Sequence, residues 1–157
     1  MSSQEVKVLI YSINNESFAT DILEVERILG YERPTIVPDV PEFIEGIINY
    51  AGDILPIMNL GKKFKYSANS KSEDKKIIVV NKESKKFGVI VDNVSEVTTV
   101  DSSIFEEAPP ITEGITKRYI KGVLKRKGKI ILILDMLNIL SQEEEEIIFA
   151  GGEECGD

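Results

Sequence analysis

The stretch FIEGIINYAGDILPIMNL, residues 43–60, recurs later in the chain as YIKGVLKRKGKIILILDM, residues 119–136, at a constant offset of 76. In each copy, two apolar runs flank a short turn that contains glycine, which is the pattern of a β-hairpin. The chain is therefore predicted to contain two copies of one β-structured unit. The identical pairs are Ile44/Ile120, Gly46/Gly122, Gly52/Gly128, Ile54/Ile130 and Ile57/Ile133.

A second match lies upstream of the first, at an offset of 69. VLIYSINNESFATDILEVERI, residues 8–28, aligns with IIVVNKESKKFGVIVDNVSEV, residues 77–97. The alignment pairs Val25 with Val94 and Ile28 with Val97. If the two copies pack about an approximate twofold axis, these four residues occupy equivalent places, either in the core or at the rim of an apolar cleft for an amphipathic helix. We expect about ten short strands forming two small, similar barrels.

The bulk composition indicates a folded chain without extracellular or membrane features. The 157 residues carry a formal net charge of −8, which argues against nonspecific nucleic-acid binding because such binding depends on Lys and Arg. The single cysteine, Cys155, cannot form a disulfide within the chain. Since there is also no apolar run of about 18 residues, we expect a cytoplasmic protein.

The residue types of the common catalytic and metal sites are missing. The chain has no histidine and one cysteine, so imidazole-dependent triads and thiolate zinc sites are excluded. No phosphate-binding glycine loop is present. A carboxylate-only hydrolase that uses Asp53, Asp92 or Asp135 is possible in principle, but these residues occupy positions typical of turns and strand ends. We therefore predict no catalytic residue, metal or cofactor, and expect the function to be binding.

A strongly basic segment covers residues 117–129. It can be a solvated hairpin edge on which lysines prevent unwanted strand pairing, a surface for an acidic protein, or a β-ribbon that contacts nucleic acid. The third interpretation defines the alternative function, an SH3-like-barrel nucleic-acid-binding protein that uses this hairpin. The cations are Lys117, Arg118, Lys121, Lys125, Arg126, Lys127 and Lys129.

Four stretches contain a distinctive combination of residues: SFATDILEVERILGY (17–31), VPDVPEFIEGIINYAGDILPIMNLGKKF (37–64), FGVIVDNVSEV (87–97) and YIKGVLKRKGKIILILDMLNIL (119–140). The spacing from Pro38 through Pro41 to Gly46, with Pro56 and Leu60 beyond it, is especially specific. Over about residues 5–148 the chain resembles the CheW family, the adaptors of bacterial chemotaxis arrays.

This resemblance implies a mainly β fold of two similar five-stranded SH3-like β-barrels that enclose a hydrophobic seam, and no enzymatic activity. It also implies two partners, the cytoplasmic tip of a methyl-accepting chemotaxis receptor, which is a helical hairpin, and the regulatory domain of the histidine kinase CheA. The protein is then cytoplasmic and is recruited to membrane-associated receptor arrays. The resemblance, together with the repeat that relates Ile28 to Val97, gives as candidate partner-binding positions Val25, Arg27, Ile28, Gly46, Ala51, Val94 and Val97.

The expected organisation is a single domain over residues 1–157. One barrel is expected over about residues 15–80 and the other over about 81–140, with 1–14 and 141–157 completing them or packing on them. Short helices are expected near the C-terminus, where Asp135 precedes MLNIL and Ser141-x-x-Glu144 matches a capping box. The chain also departs from the family pattern, because Ala51 and Gly61 stand where many members have arginines able to form forked hydrogen bonds.

Overall fold

The computed structural model describes residues 5–64, 74–101, 105–107 and 119–154, and the side chains of these up to residue 149. The described part of the chain is mainly β, as expected, with a short helix after β5 and a longer one near the C-terminus, α1 (Leu60–Lys63) and α2 (Gln142–Glu154). The strands are β1 (Glu5–Ile13), β2 (Glu16–Asp21), β3 (Val25–Gly30), β4 (Ile44–Tyr50), β5 (Asp53–Asn59), β6 (Lys76–Lys82), β7 (Lys85–Val91), β8 (Asn93–Asp101), β9 (Ile120–Arg126) and β10 (Lys129–Leu134).

The strands form two five-stranded sheets related by the sequence repeat. Sheet one has the order β8-β1-β2-β10-β9, and sheet two has the order β3-β6-β7-β5-β4. The offsets of 69 and 76 make β1 to β5 equivalent to β6 to β10. Exchanging each strand for its equivalent converts the first order into the second. The two copies therefore build the same sheet twice.

Each sheet contains strands from both copies. Sheet one takes β1 and β2 from the first copy, and sheet two takes β6 and β7 from the second. The sheets consequently divide the chain differently from the expected barrels at 15–80 and 81–140, because β2 lies in sheet one and β7 lies in sheet two. The physical reason is the turn Ile22–Glu24 after β2, which leads the chain across to the other sheet.

The apolar core has three layers. The inner strands β1 and β6 are buried on both faces, so alternate residues enter different layers. Two of the layers each contain residues of a single sheet. The layer inside sheet one includes Val8 and Ile10, and the layer inside sheet two includes Ile77 and Val79. The third layer contains residues of both sheets, including Leu9, Tyr11, Ile78 and Val80, and is called here the seam core.

The four hairpins have the same turn geometry. Their two central residues all have positive φ, as in the type I′ turn that matches the twist of paired strands. The turns also fall into pairs related by the repeat, which shows that the duplication preserved backbone conformation where the side chains differ. The turns are Asn14-Asn15 and Glu83-Ser84, and Ala51-Gly52 and Lys127-Gly128.

Helix α2 packs against α1 and against strands β6 and β7 of sheet two. The predicted capping box is confirmed: the backbone N–H of Glu144 donates to Ser141 Oγ at 3.1 Å, and the Ser141 N–H donates to a carboxylate oxygen of Glu144 at 2.8 Å. Ion pairs of 2.8 Å to Lys63 and 2.7 Å to Lys82 fix Glu144 and Glu145. Phe149 packs against the seam core, so α2 covers one side of this layer.

Candidate partner-binding site

The apolar positions assigned to partner binding extend the seam core to the protein surface. In the strand registers, Val25 and Ile28 of β3 lie opposite Val80 and Ile78, and on β8 Val97 lies opposite Leu9. Residues directly opposite on antiparallel strands share one face of the sheet. Since Val80, Ile78 and Leu9 belong to the seam core, these β3 and β8 side chains lie on the faces that enclose it.

Exposure increases along both edge strands in the same way. Val25 and Val94 are half-buried and pack against the seam core, whereas Ile28 is 37% exposed and Val97 is 51% exposed. Each edge strand thus presents one half-buried and one exposed apolar residue at repeat-related positions. The structure brings these four residues to one apolar layer between the sheets, which is the arrangement that an amphipathic helix requires of its binding groove.

The other assigned positions lie away from this layer. Arg27 is exposed and lies opposite Val79, a residue of the layer inside sheet two, so Arg27 points to the other face of β3 from Ile28. Ala51 is exposed in the β4–β5 turn with φ of 51°. The structure therefore separates these two residues from the apolar positions of β3 and β8.

Gly46 is buried, and its role is to admit a neighbouring loop. Its φ is 145°, and a methyl group there would overlap the carbonyl oxygen of Thr35. Thr35 and Ile47 exchange two backbone hydrogen bonds of 2.8 and 2.9 Å, which cover the outer edge of β4. A partner that binds in this region contacts the surface around Gly46 rather than Gly46 itself.

Two carboxylates flank Val25 and fix the start of β3, a feature that the sequence alone did not predict. The Glu24 carboxylate is buried and accepts hydrogen bonds from Lys121 Nζ at 2.7 Å and from the Met136 N–H at 2.8 Å. Burial raises the pKa of Glu24, although the bond from Lys121 opposes this shift. Glu24 thus joins the turn before β3 to β9 and to the chain after β10, in the other sheet.

The second carboxylate, Glu26, bonds within sheet two. It accepts hydrogen bonds from Tyr50 Oη at 2.7 Å and Asn81 Nδ2 at 3.1 Å, and Lys86 Nζ lies 3.3 Å away. The bond from Tyr50 lowers the pKa of Glu26 and raises that of Tyr50. The alternation of acids with Val25 in LEVER was the only available sequence signal for either carboxylate.

The basic hairpin is largely neutralised by acids of other strands. Ion pairs join Lys121 to Glu24, Lys125 to Glu106 and Arg126 to Glu96. Lys127 and Lys129 are exposed at the tip, beside Ile130, which is 64% exposed. Lys117 and Arg118, like Cys155, lie outside the described residues. Three of the five described cations are therefore already paired, which weakens the electrostatic basis for nucleic-acid binding.

The three candidate catalytic aspartates lie at turns and strand ends. Asp92 Oδ2 accepts a hydrogen bond from the Asn14 N–H at 2.7 Å, and Asp135 Oδ1 accepts one from the Leu137 N–H at 3.1 Å. Asp53 follows the β4–β5 turn. Within the described ranges, no group of three or more Cys, Asp or Glu residues is placed to hold a metal ion. The site is thus a partly exposed apolar surface next to two ion-paired carboxylates, and this chemistry suits binding.

Comparison with known proteins gives one consistent family. The model of the CheW-like domain matches residues 7–144. The chemotaxis protein CheW of Klebsiella aerogenes is 31% identical over 140 residues, which covers 89% of this chain and 84% of that protein. CheW of Bacillus subtilis is 27% identical over a match that covers 89% of this chain and 90% of that protein. The crystal structure of the scaffolding protein TtCheW from Thermoanaerobacter tengcongensis superposes with a TM-score of 0.80 at 35% identity, covering 90% of this chain and 97% of that one.

These similarities define a non-catalytic adaptor of bacterial chemotaxis. The chain belongs to the CheW-like domain family, and its two sheets are the two SH3-like barrels that the resemblance implied. Its role is to couple chemoreceptors to the kinase CheA. Among the described residues, no helix is long and apolar enough to span a membrane.

Proposed function

We propose that this chain binds the cytoplasmic tip of a methyl-accepting receptor in the groove between β3 and β8 and binds the regulatory domain of CheA through sheet two. The observation that supports the receptor site is the emergence of the seam core at Ile28 and Val97 on two equivalent edge strands. A receptor helix with apolar residues on one face can bury them against this layer. In this proposal Val25 and Val94 form the floor of the groove, and Arg27, on the opposite face of β3, lies outside it.

The kinase site in this proposal is the β4–β5 hairpin and the surface around Gly46. Ala51 forms the turn, and Ile54 at the start of β5 is 71% exposed, so a partner that covers it removes apolar surface from water. The equivalent hairpin of sheet one, β9–β10, has Ile130 at the position of Ile54. It has Lys129 at the position where the β4–β5 hairpin has Asp53. The two hairpins therefore present the same apolar residue with opposite charge, and we expect them to bind different partners, an acidic one at Ile130.

Cytoplasmic location and recruitment to receptor arrays follow from these two interactions in the proposal. The chain itself then needs no lipid contact, since the receptor supplies the membrane attachment. The proposal includes no nucleic-acid partner.

A pair of charge insertions tests the two sites against each other. Val97→Glu places a carboxylate in the groove and should weaken binding of a receptor-tip fragment at least tenfold while binding of the isolated CheA regulatory domain changes less than twofold. Ile54→Glu should show the reverse pattern. Both residues are exposed, so thermal unfolding should change little. Absence of any binding by the wild-type protein, over a range of salt concentrations, would reject the proposal. Equal loss of both partners by Val97→Glu, with a lower melting temperature, would show that Val97 is core.

A further inference from the structure

Both barrels are closed by side chains at the place where their edge strands meet. Within the part of the chain that the structure describes, no backbone ladder joins β3 to β4 or β8 to β9. In sheet two, Tyr50 Oη donates to Glu26 Oε2 at 2.7 Å, and in sheet one Arg126 Nη1 donates to Glu96 Oε2 at 2.6 Å. Tyr50 and Arg126 are repeat equivalents at the offset of 76. The same hairpin position therefore closes each barrel, with different chemistry; these two contacts are called here the closing bonds.

The closing bonds reach the edge strands at their bulges. The register of β3 pairs Val25 with Val80 and Arg27 with Val79, which leaves Glu26 as an extra residue. The register of β8 likewise leaves Ser95, the repeat equivalent of Glu26, as the extra residue before Glu96. Because a bulge interrupts the ladder, the edge strand is more easily displaced there than elsewhere. In sheet two, this point lies between the two groove residues of β3.

The other end of the closing bond in sheet two is held firmly. Tyr50 is 8% exposed, and its ring belongs to the layer inside the sheet. Lys86 Nζ lies 5.7 Å from the centre of that ring and also pairs with Glu26. Tyr50 is the last residue of β4 and directly precedes Ala51, in the turn where we place the kinase contact. The closing bond thus connects the bulge of β3 directly to the residue before the turn.

We propose that the bond between Glu26 and Tyr50 couples the receptor groove to the kinase-binding hairpin, with Tyr50 as a positioning residue that touches neither partner. A helix that packs on Val25 and Ile28 orders the bulged strand, and the closing bond transfers that order to the β4–β5 turn. The inference rests on the proposed function, since it assigns the groove and the hairpin to different partners. The bond between Arg126 and Glu96 makes the equivalent connection from β8 to the β9–β10 hairpin.

The test is the change in affinity for one partner caused by the other. Calorimetry gives the dissociation constant of the CheA regulatory domain with and without a saturating receptor-tip fragment. The ratio of these two constants, called here the coupling ratio, is roughly 5–150-fold for a typical allosteric coupling. Tyr50→Phe removes one oxygen and keeps the ring in the core. We expect it to bring the ratio within about twofold of one while each binary affinity changes less than about twofold. Glu26→Gln keeps an acceptor for the Tyr50 hydroxyl and should retain much of the wild-type ratio.

The matched control is Tyr31→Phe, which removes the same oxygen from an exposed ring beside Lys75 in the same half of the chain and should leave the ratio unchanged. A second measurement needs no partner: hydrogen exchange of the β3 amides should accelerate several-fold in Tyr50→Phe, with β6 unaffected. Three results would each overturn the inference. They are a coupling ratio in Tyr50→Phe equal to that of the wild type, unaltered hydrogen exchange of β3 in this variant, and a coupling ratio of one in the wild-type protein. The last result leaves the proposed function intact, whereas failure of the wild-type protein to bind either partner rejects the proposed function itself.

Discussion

Replacing Lys121 with Met should destabilise the protein, because it removes one of the two donors to the buried Glu24 carboxylate. The Glu24 side chain is 7% exposed and that of Lys121 is 43% exposed, with 2.7 Å between the charged atoms. Breaking a fully buried ion pair usually costs about 3–5 kcal/mol. Since water already reaches Lys121 and the Met136 N–H still donates to Glu24, we expect a loss of about 2 kcal/mol near neutral pH.

The loss of stability caused by Lys121→Met should increase as pH rises. Burial raises the pKa of Glu24 above its ordinary value of 4.5. A carboxyl group with a raised pKa favours folding while it is protonated, so its contribution is present at low pH and is lost as pH rises through its pKa in the folded protein. Without Lys121 this pKa rises further, and the difference between variant and wild type increases with pH above 4.5. The chain has no histidine, so no ordinary histidine titration overlaps this window.

Urea unfolding followed by far-ultraviolet circular dichroism measures the effect at two pH values, one near the ordinary carboxyl pKa of 4.5 and one at about pH 7.5. The matched control is Lys125→Met on the same strand, whose pair with Glu106 spans 3.4 Å with both side chains more than half exposed, at 66% and 54%. Such a surface pair contributes less than about 1 kcal/mol. Equal losses for the two variants, or a loss for Lys121→Met that is the same at both pH values, would refute the reasoning.

Three further predictions concern stability. Gly46→Ala should cost about 3 kcal/mol or more in urea unfolding, because its methyl group meets the backbone of the adjoining loop, whereas Gly30→Ala, with open space around the new methyl group, should change stability by less than about 0.5 kcal/mol. Ala51→Gly and Lys127→Gly should each stabilise by about 0.5 kcal/mol, since left-handed φ values of 51° and 52° cost a side chain more than glycine loses in chain entropy; a loss in either thermal melt would contradict this account. Ser141→Ala should remove about 1 kcal/mol of capping from α2, measured as faster hydrogen exchange in that helix alone, and unchanged exchange would show that the ion pairs suffice.

The sequence predicted features that depend on local chemistry or on equivalence between the copies. The apolar runs on either side of Gly52 and Gly128 predicted both hairpins, and both turns have the backbone conformation that glycine favours. The capping box is likewise a pattern of four residues. Pairing Ile28 with Val97 correctly predicted equivalent positions, because two copies of one unit offer the same environments at the same offsets.

Contacts between distant parts of the chain could not be predicted in this way. A repeat does not show which copy supplies a strand to which sheet, and the parallel pairing of Phe18 in β2 with Leu132 in β10 has no local signal. For the same reason Glu24 gave no sign of its bond to Met136, 112 residues away. An acid in a surface-like pattern was buried by the fold, and only the three-dimensional arrangement explains why its charge is tolerated.

The exchange of strands between the copies also determines the order in which the two sheets can form during translation. Sheet two is built from β3 to β7, within residues 25–91, and can be completed as soon as β7 has left the ribosome. Sheet one combines β1 and β2 with β8 to β10, so it cannot be completed until residue 134 is available. We expect the nascent chain to pass through a state in which sheet two is complete while sheet one still lacks strands. The groove between β3 and β8 needs strands of both sheets, so a chain that ends before β8 cannot present it to a receptor.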